Sequence, residues 1–361
     1  MRVLFDGEIF CRQKFGGISR YFYELASRVG AEDGFSSVVL APIFVNDYLL
    51  RRGADVKGLH VPKFQNSGRL ISAANSLAMP ILTKFEKPDV LHETYYCRRS
   101  LAPKGCPVVV TVHDMTYEKF PDSFLEASHL SGLKRKAVMR ADRVICVSKN
   151  TQQDLVDIFG IPIEKTIVVH HGFTLGCSEK SQCLNRKRPF LLYVGARSGY
   201  KNFDSLLRVF ASSSVLRDDF DLLAFGGGAF SAKENEQIKK LSLQGNVEQL
   251  SGNDALLANL YQQATLLIYP SFYEGFGIPL LEAMGFECPV VCSNASSIPE
   301  VVGDAAYLFD PVDVDAMGAA LEAVVNSPGL RSDLVSRGKK RIDLFSWQRT
   351  ASETMDVYRE L

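Results

Sequence analysis

The feature that most restricts the fold of this 361-residue chain is an alternation, run through twice, of short β-branched strings with longer amphipathic segments. In the first half the strand-like strings are RVLFD (2–6), SVVLA (37–41), DVLHE (89–93), PVVVTVHD (107–114), RVICVS (143–148) and TIVVHH (166–171). Helical patterns fall between them, SRYFYELASRV (19–29) and DLVDIFG (154–160) among them. Near-continuous apolar strands separated by helices belong to parallel sheets covered on both faces. The pattern lapses over FTLGCSEKSQCLNRKRP (173–189), a polar stretch without periodicity that reads as a linker. It then restarts with FLLYVG (190–195), DLLAFGGG (221–228), ATLLIYPS (264–271) and CPVVCS (288–293). The expected fold class is α/β, with two Rossmann-like, doubly wound domains facing a central cleft. The expected boundaries are 1–172 for the first domain, 173–188 for the linker and 189–345 for the second domain. A final helix over 346–361, capped at Ser346, packs back toward the first domain.

Charge and cysteine usage narrow the function. Lys plus Arg and Asp plus Glu balance at 41 each, so no global field recruits nucleic acid. Eight cysteines, at 11, 97, 106, 146, 177, 183, 288 and 292, include no C-x-x-C pair, and several lie in apolar strings. Reduced, buried thiols are expected, not structural zinc or a disulfide framework. The opening MRVLFDGEIF carries an apolar run too short for a signal peptide, and no stretch approaches the ~20 apolar residues of a membrane span. The expected compartment is the cytoplasm.

The string YPSFYEGFGIPLLEAMGFECPVVCS (269–293) carries the chemistry. Gly275 and Gly277 allow close backbone approach to a ligand, and Pro279 suits a first helical turn. The amides of Phe276, Gly277 and Ile278 then form an anion site at a helix N-terminus. Glu274 and Glu282 flank it and suit hydroxyl groups better than phosphates. The plainer reading is a glycine-rich turn with two solvated glutamates. In YVGARSGYKNFD (193–204), Arg197 and Lys201 follow a strand and are placed to neutralise a diphosphate; ordinary loop cations are the alternative. His113 and Asp114 close an apolar strand, where a polar pair is harder to dismiss as structural.

The string E-G-F-G-I-P-L-L-E resembles the E-x7-E motif of retaining glycosyltransferases with the GT-B fold, family 4, and the resemblance extends over essentially the whole chain. It implies that Glu274 contacts a donor sugar, that Glu282 contacts the nucleotide ribose, and that the amides of residues 276–278 hold phosphate and sugar groups. Arg197 and Lys201 resemble the family's phosphate-binding pair, although Ala196 stands where many members have arginine. Gly16 and Gly17 in KFGGISRYFYEL (14–25), read as lying between the first strand and first helix, are similar to the glycine loop near the donor phosphates; a plain turn competes. The histidine matching His113 lies by the transferred sugar, with Asp114 supporting it. Gly226 of AFGGG is placed under the nucleotide and Gly252 of LSGN near the base.

Other features are set aside or left open. Asp219 and Asp221 precede a strand, and Asp313 and Asp315 open a helix, so neither Asp-x-Asp pair reads as a metal site. His170 and His171 suit interdomain packing better than metal ligation. The basic run LKRKAVMRADR (133–143) is a solvated helix face or a contact with anionic lipid headgroups. The resemblance implies transfer of a hexose to a hydroxyl of a polysaccharide or lipid-linked oligosaccharide. With Arg197, Lys201 and a helix N-terminus at hand neither metal nor cofactor is expected, and a lipid-linked acceptor would bring the cytoplasmic enzyme to the inner face of the membrane. The variant YKNF and the string HDMTYEKFP look like mannosyltransferases, which puts GDP-mannose first and a UDP-sugar second. A nucleotide-sugar epimerase and an inactive sugar-nucleotide or glycan-binding module are the rivals. A dinucleotide-binding dehydrogenase is not favoured, because FGGIS lacks the G-x-G-x-x-G spacing.

Overall fold

The computed structural model describes residues 1–63, 67–174, 186–197 and 199–361. Most of the stretch read as a linker, with the cysteines at 177 and 183, lies outside the described residues. The chain divides into two compact units, Met1–Gly172 with Ser346–Leu361, and Phe173–Phe345.

Unit 1 carries β1 (Arg2–Asp6), α1 (Glu8–Arg12), α2 (Gly17–Val29), β2 (Ser36–Phe44), β3 (Val56–His60), α3 (Ser67–Glu86), β4 (Val90–Glu93) and β5 (Val108–Val112). It continues with α4 (Thr116–Lys119), α5 (Ala127–Arg140), β6 (Arg143–Cys146), α6 (Lys149–Phe159) and β7 (Thr166–Val168). All its strand pairs are parallel, in the order β3-β2-β1-β4-β5-β6-β7. The interior strands have no solvent face, which is why β1 and β5 read as unbroken apolar runs. By contrast β3 (VKGLH) is an edge strand, exposed along most of its length, and its mixed composition hides it from pattern reading.

Unit 2 carries β8 (Phe190–Val194), α7 (Phe203–Ser212), α8 (Ser214–Asp219), β9 (Asp221–Phe225), α9 (Ala232–Lys240), β10 (Val247–Leu250), α10 (Asp254–Gln263) and β11 (Leu266–Tyr269). Then follow α11 (Ile278–Gly285), β12 (Val290–Ser293), α12 (Ile298–Val302), β13 (Tyr307–Phe309), α13 (Val314–Val325) and α14 (Pro328–Ile342). Its sheet is also parallel, ordered β10-β9-β8-β11-β12-β13. The outer strands β10 and β13 are again the ones that apolar periodicity misses. Asp313 caps α13 by accepting from the Ala316 amide, which is an N-terminal cap in its ordinary place.

The C-terminal helix α15 (Trp347–Arg359) completes unit 1. Ser346 caps it, Thr350 donates to the His170 carbonyl at 2.8 Å, and Trp347, Met355 and Tyr358 are buried against α2 and the sheet. Gly172 makes the close approach possible. A Cβ there would sit 2.3 Å from the Trp347 nitrogen and 2.5 Å from its Cα, both backbone atoms. Gly172→Ala is therefore expected to destabilise unit 1 by about 1–3 kcal/mol, the usual cost of overpacking. A thermal melt checks this; an unchanged Tm would contradict the packing.

Candidate active site

In a doubly wound sheet, a crevice opens where the connections from two neighbouring strands leave to opposite sides. In unit 2 those neighbours are β8, which leads through α7 to β9, and β11, which leads through α11 to β12. The segments beyond their carboxyl ends are 195–197 with 199–202, and 270–277. A backbone bond joins them, from the Phe272 amide to the Tyr200 carbonyl at 2.8 Å. The same juxtaposition brings Lys201 to Glu274, with Nζ 2.7 Å from Oε1 and 2.8 Å from Oε2. Both side chains are largely buried. The Lys201 ammonium also lies over the rings of Tyr200 and Tyr269, 5.2 and 5.8 Å from their centroids. Burial, then the charge of Glu274, push the Tyr269 phenol well up, so it stays neutral beside that carboxylate.

Beyond Glu274 the chain turns into α11 through Gly277, which has φ of +107° and ψ of 53°, a conformation that favours glycine. No intramolecular acceptor for the amides of Gly277 or Ile278 is recorded among the described residues. Orphan amides at a helix N-terminus favour an anion. Glu282 lies one turn into α11 and accepts from the buried Tyr261 hydroxyl at 3.2 Å.

A serine set that sequence reading passed over holds this turn. In SNASS, the Ser296 hydroxyl donates to the Glu274 carbonyl at 2.7 Å and accepts from the Glu274 amide at 3.2 Å. Ser297 stands at the N-cap of α12 but does not cap it. Its one hydroxyl proton is shared between the carbonyls of Glu274 and Phe276, at 2.9 and 3.1 Å. Ser293 donates to the Ser271 carbonyl at 2.6 Å. Ser297→Ala leaves two carbonyls without that donor in a fully buried place, so it is expected to cost about 1–3 kcal/mol. Thermal unfolding reads the loss, and a Tm equal to the parent's would show that Ser297 does not hold the turn.

Arg197 is engaged within unit 2. Its Nε donates to Glu234 at 2.7 Å, Nη1 to the Gly226 carbonyl at 2.8 Å, and Nη2 to the carbonyls of Gly228 and Ala229 at 2.8 and 3.1 Å. Its guanidinium lies over Phe230, 4.9 Å from the ring centroid. With its donors directed at the glycine run, Arg197 ties that loop to the segment after β8. Gly226, Gly227 and Gly228 all have positive φ, which turns their carbonyls toward Arg197. Gly252 precedes α10 at the end of the edge strand β10, two strand spacings from β8, or roughly 10 Å.

Unit 1 carries the remaining predicted residues. Gly16 and Gly17 open α2, but α1 stands between them and β1, which corrects the reading of α2 as the first helix. Gly17 has open space where a Cβ would stand. His113 follows β5 and is buried. Its Nδ1 lies 3.4 Å from His171 Nε2, and its Nε2 has no hydrogen-bond partner among the described residues. Burial, followed by His92 and Lys134, lowers the His113 pKa to about 3, so the ring is neutral at physiological pH. Asp114 does not pair with it. The Asp114 Oδ1 accepts from the Thr116 amide at 2.9 Å, opening α4, and lies 3.9 Å from Lys134. His171 stacks on His113 and meets Tyr21 and Trp347 edge-on, which makes it a packing residue of unit 1.

The basic run 133–143 is also reassigned. Lys134 is fully buried, donating to Glu118 at 2.7 Å and to the Asp114 carbonyl at 2.9 Å. Arg140 pairs with Glu93 and donates to the Cys97 carbonyl at 2.8 Å. Among the described residues, Arg135 and Lys136 are the Lys and Arg side chains of that helix that remain exposed. The crevice position of this sheet, between β1 and β4, holds a cluster that sequence reading passed over. Asp6 accepts from the Thr94 hydroxyl at 2.6 Å, and burial, reinforced by Glu93, raises its pKa to about 7. A cavity of ≈ 650 Å³ opens beside it, lined in part by Gly7, Glu8 and Arg12.

Comparison with known proteins agrees with this geometry. Residues 15–176 match the family model described as Glycosyltransferase Family 4, and residues 178–341 match the one described as Glycosyl transferases group 1. The chain is 26% identical over 392 residues to the O-antigen chain mannosyltransferase B of Escherichia coli, covering 100% of both chains. It is 30% identical over 297 residues to the MMP alpha-(1->4)-mannosyltransferase of Mycolicibacterium hassiacum, covering 75% of this chain and 70% of that one. The Anabaena HepE structure in complex with UDP and glucose superposes with a TM-score of 0.77 at 18% identity, over 100% of each chain. Two parallel Rossmann-like units, a carboxylate–lysine pair at the crevice of the second and family matches to both halves lead to one conclusion: the chain belongs to the GT-B glycosyltransferases of family 4.

Proposed function

We propose that this glycosyltransferase moves a mannosyl group from GDP-mannose to a hydroxyl of a polysaccharide or lipid-linked oligosaccharide, with retention of anomeric configuration. The observation that carries the reading is the Lys201–Glu274 pair set beside the Gly277 and Ile278 amides. The choice of mannose is supported by the relatives, several of which are named as mannosyltransferases, two of them of O-antigen chains.

Under this reading Glu274 accepts hydrogen bonds from the sugar hydroxyls and Glu282 from the ribose. Lys201 and the amides of Gly277 and Ile278 stabilise charge on the departing diphosphate. The bond between the anomeric carbon and the diphosphate oxygen breaks. The acceptor oxygen bonds to that carbon on the same face, and its proton passes to the departing phosphate. No metal is invoked in this step. From unit 1 the reading takes His113, neutral, as a hydrogen-bond partner for the transferred sugar, and Gly16 and Gly17 as the loop that admits the phosphates.

A thermal-shift panel of GDP-mannose, UDP-glucose, UDP-N-acetylglucosamine and an ADP-sugar tests the proposal. At a hundredfold excess over Kd, a ligand that binds only the folded state adds about 2.7 kcal/mol. GDP-mannose is expected to give the largest shift. Stabilisation by none of the four would overturn the donor-site assignment. Conversion of UDP-N-acetylglucosamine without any acceptor would replace it with an epimerase.

A further inference from the structure

Helix α3 bears an apolar stripe that unit 1 leaves uncovered. Its inner face is secured to β2. The Asn75 amide nitrogen donates to the Ile43 carbonyl at 2.8 Å and its oxygen accepts from the Ile43 amide at 3.0 Å, while Ile71, Met79 and Thr83 are buried. On the other side Leu70, Leu77, Ile81 and Phe85 are 64%, 79%, 60% and 78% exposed. At 3.6 residues per turn these four fall within about 80° of arc. Ala73 and Ala74 extend the same side. No charged residue occurs from Leu70 to Thr83. A helix face turned to water is ordinarily charged, and a contiguous exposed apolar face marks an interaction site.

Cations border the stripe at the carboxyl end of α3 and along the side that walls the larger cavity. Lys84, Lys87 and Lys104 line a depression of ≈ 370 Å³ at the carboxyl end of α3. Arg98 and Arg99 are exposed on the rim of the ≈ 650 Å³ cavity, one wall of which is Ser72, Ser76 and Pro80 of α3. None of these five cations forms an ion pair among the described residues. Asp89, the one carboxylate in the depression, accepts from the Arg2 amide. No helix among the described residues is long and apolar enough to cross a membrane. An apolar stripe bordered by unpaired cations is the pattern of a helix lying in a bilayer interface.

We propose that α3 and its rim of cations dock unit 1 on a bilayer of anionic phospholipid. Leu70, Leu77, Ile81 and Phe85 enter the acyl boundary, and Lys84, Lys87, Lys104, Arg98 and Arg99 meet the phosphates. A second copy of the chain is the weaker occupant, since a two-fold contact would bring this rim of cations against itself. Docking sets the cavity walled by α3 beside the lipid headgroups. This surface replaces the basic run 133–143, whose Lys134 and Arg140 are engaged internally.

The test is sedimentation of the full chain with vesicles of phosphatidylcholine alone or mixed with phosphatidylglycerol. The protein is expected to bind the mixed vesicles, less so as salt is raised. Leu77→Ser/Ile81→Ser/Phe85→Ser is expected to lower the partition coefficient on the order of a hundredfold without lowering Tm, since those side chains already face water. Lys84→Gln/Lys87→Gln/Lys104→Gln should lower it by roughly tenfold or more. Arg135→Gln/Lys136→Gln should leave it unchanged. In a second measurement Leu77→Trp adds a reporter beside the single native Trp347, which is buried, and its emission is expected to shift blue on mixed vesicles. A protein that stays in the supernatant, a triple-serine variant that binds like the parent, or unchanged Leu77→Trp emission would overturn the proposal. So would a dimer that the serine substitutions split. No sugar transfer is measured, so failure here is separate from failure of the proposed activity.

Discussion

Replacing Glu274 by glutamine is expected to lower kcat/KM for sugar transfer by about 10²–10³, the range seen when one preorganised electrostatic contact is removed from an active site. The side chain keeps its size, and the serine set still holds the backbone through the Glu274 carbonyl and amide. What disappears is the charge that fixes Lys201 through two contacts of 2.7 and 2.8 Å. Lys201 loses its orientation and the sugar loses its strongest acceptor in the same substitution. Lys201→Ala is expected to cost a similar factor. Because the two groups act as a unit, Glu274→Gln/Lys201→Ala should cost little more than either change alone. Steady-state kinetics on the three variants checks this. Parental turnover by Glu274→Gln, or additive losses in the double variant, would show that the pair is not the catalytic unit.

Acid is expected to loosen unit 1 ahead of unit 2. All six histidines, at 60, 92, 113, 129, 170 and 171, belong to unit 1. Burial lowers the His92 pKa from 6.5 to about 3; burial, then His92 and Lys134, lower that of His113 to about 3. Burial, then His113 and His170, hold His171 well below its usual value. His92 is buried neutral between the Tyr358 hydroxyl at 2.6 Å and the Thr111 hydroxyl at 2.8 Å. Between about pH 6.5 and pH 3 the unfolded chain protonates these rings and the folded chain does not, so stability falls as pH falls, by about 1.4 kcal/mol per unit for each group. Asp6 acts in the opposite sense. Its folded pKa is raised to about 7, so the folded state holds a proton that the unfolded state has released, and this contribution fades as pH rises from 3.8. Glu93, raised mainly by burial, adds to that opposing sense. Three histidines against one or both of these carboxyls leave a net loss of roughly 1.4–2.8 kcal/mol per unit in unit 1 below about pH 6. Hydrogen-exchange protection of β1, β4 and β5 should therefore collapse before that of β8 and β11 as pH is lowered. Protection lost first in unit 2 would contradict the assignment of neutral buried rings.

These two predictions draw on different fractions of what the sequence discloses. The interior strands were readable because burial on both faces demands unbroken apolar runs, as in VVVTV of β5 and FLLYV of β8. The edge strands β3, β10 and β13 escape that rule because few of their residues are buried, whereas β7, also at an edge, keeps an apolar run. The Glu274–Glu282 segment was readable because glycine, proline and carboxylate each do something at their position that other residues do not. A cation's partner is not disclosed in this way. Arg197 finds Glu234 across 37 residues, and Lys134 finds Glu118 only because α4 and α5 fold back on each other. A string such as LKRKAVMR shows charge and no geometry. The serine set was hidden for the same reason, since SNASS reads as a loop until β12 and α12 place it under Glu274. Helix α3 was hidden by Pro80 and by an apolar side that faces out.

In the proposed function a sugar nucleotide is held by the two loops beyond β8 and β11. Hydrogen exchange with GDP-mannose, run in parallel with UDP-glucose, tests it most directly by locating the amides that slow on binding. Protection of the 276–280 amides and of the segment around Lys201 is expected, and is expected to be lost in Lys201→Ala. Protection confined to other segments, such as 231–240, or equal protection in Lys201→Ala, would contradict it.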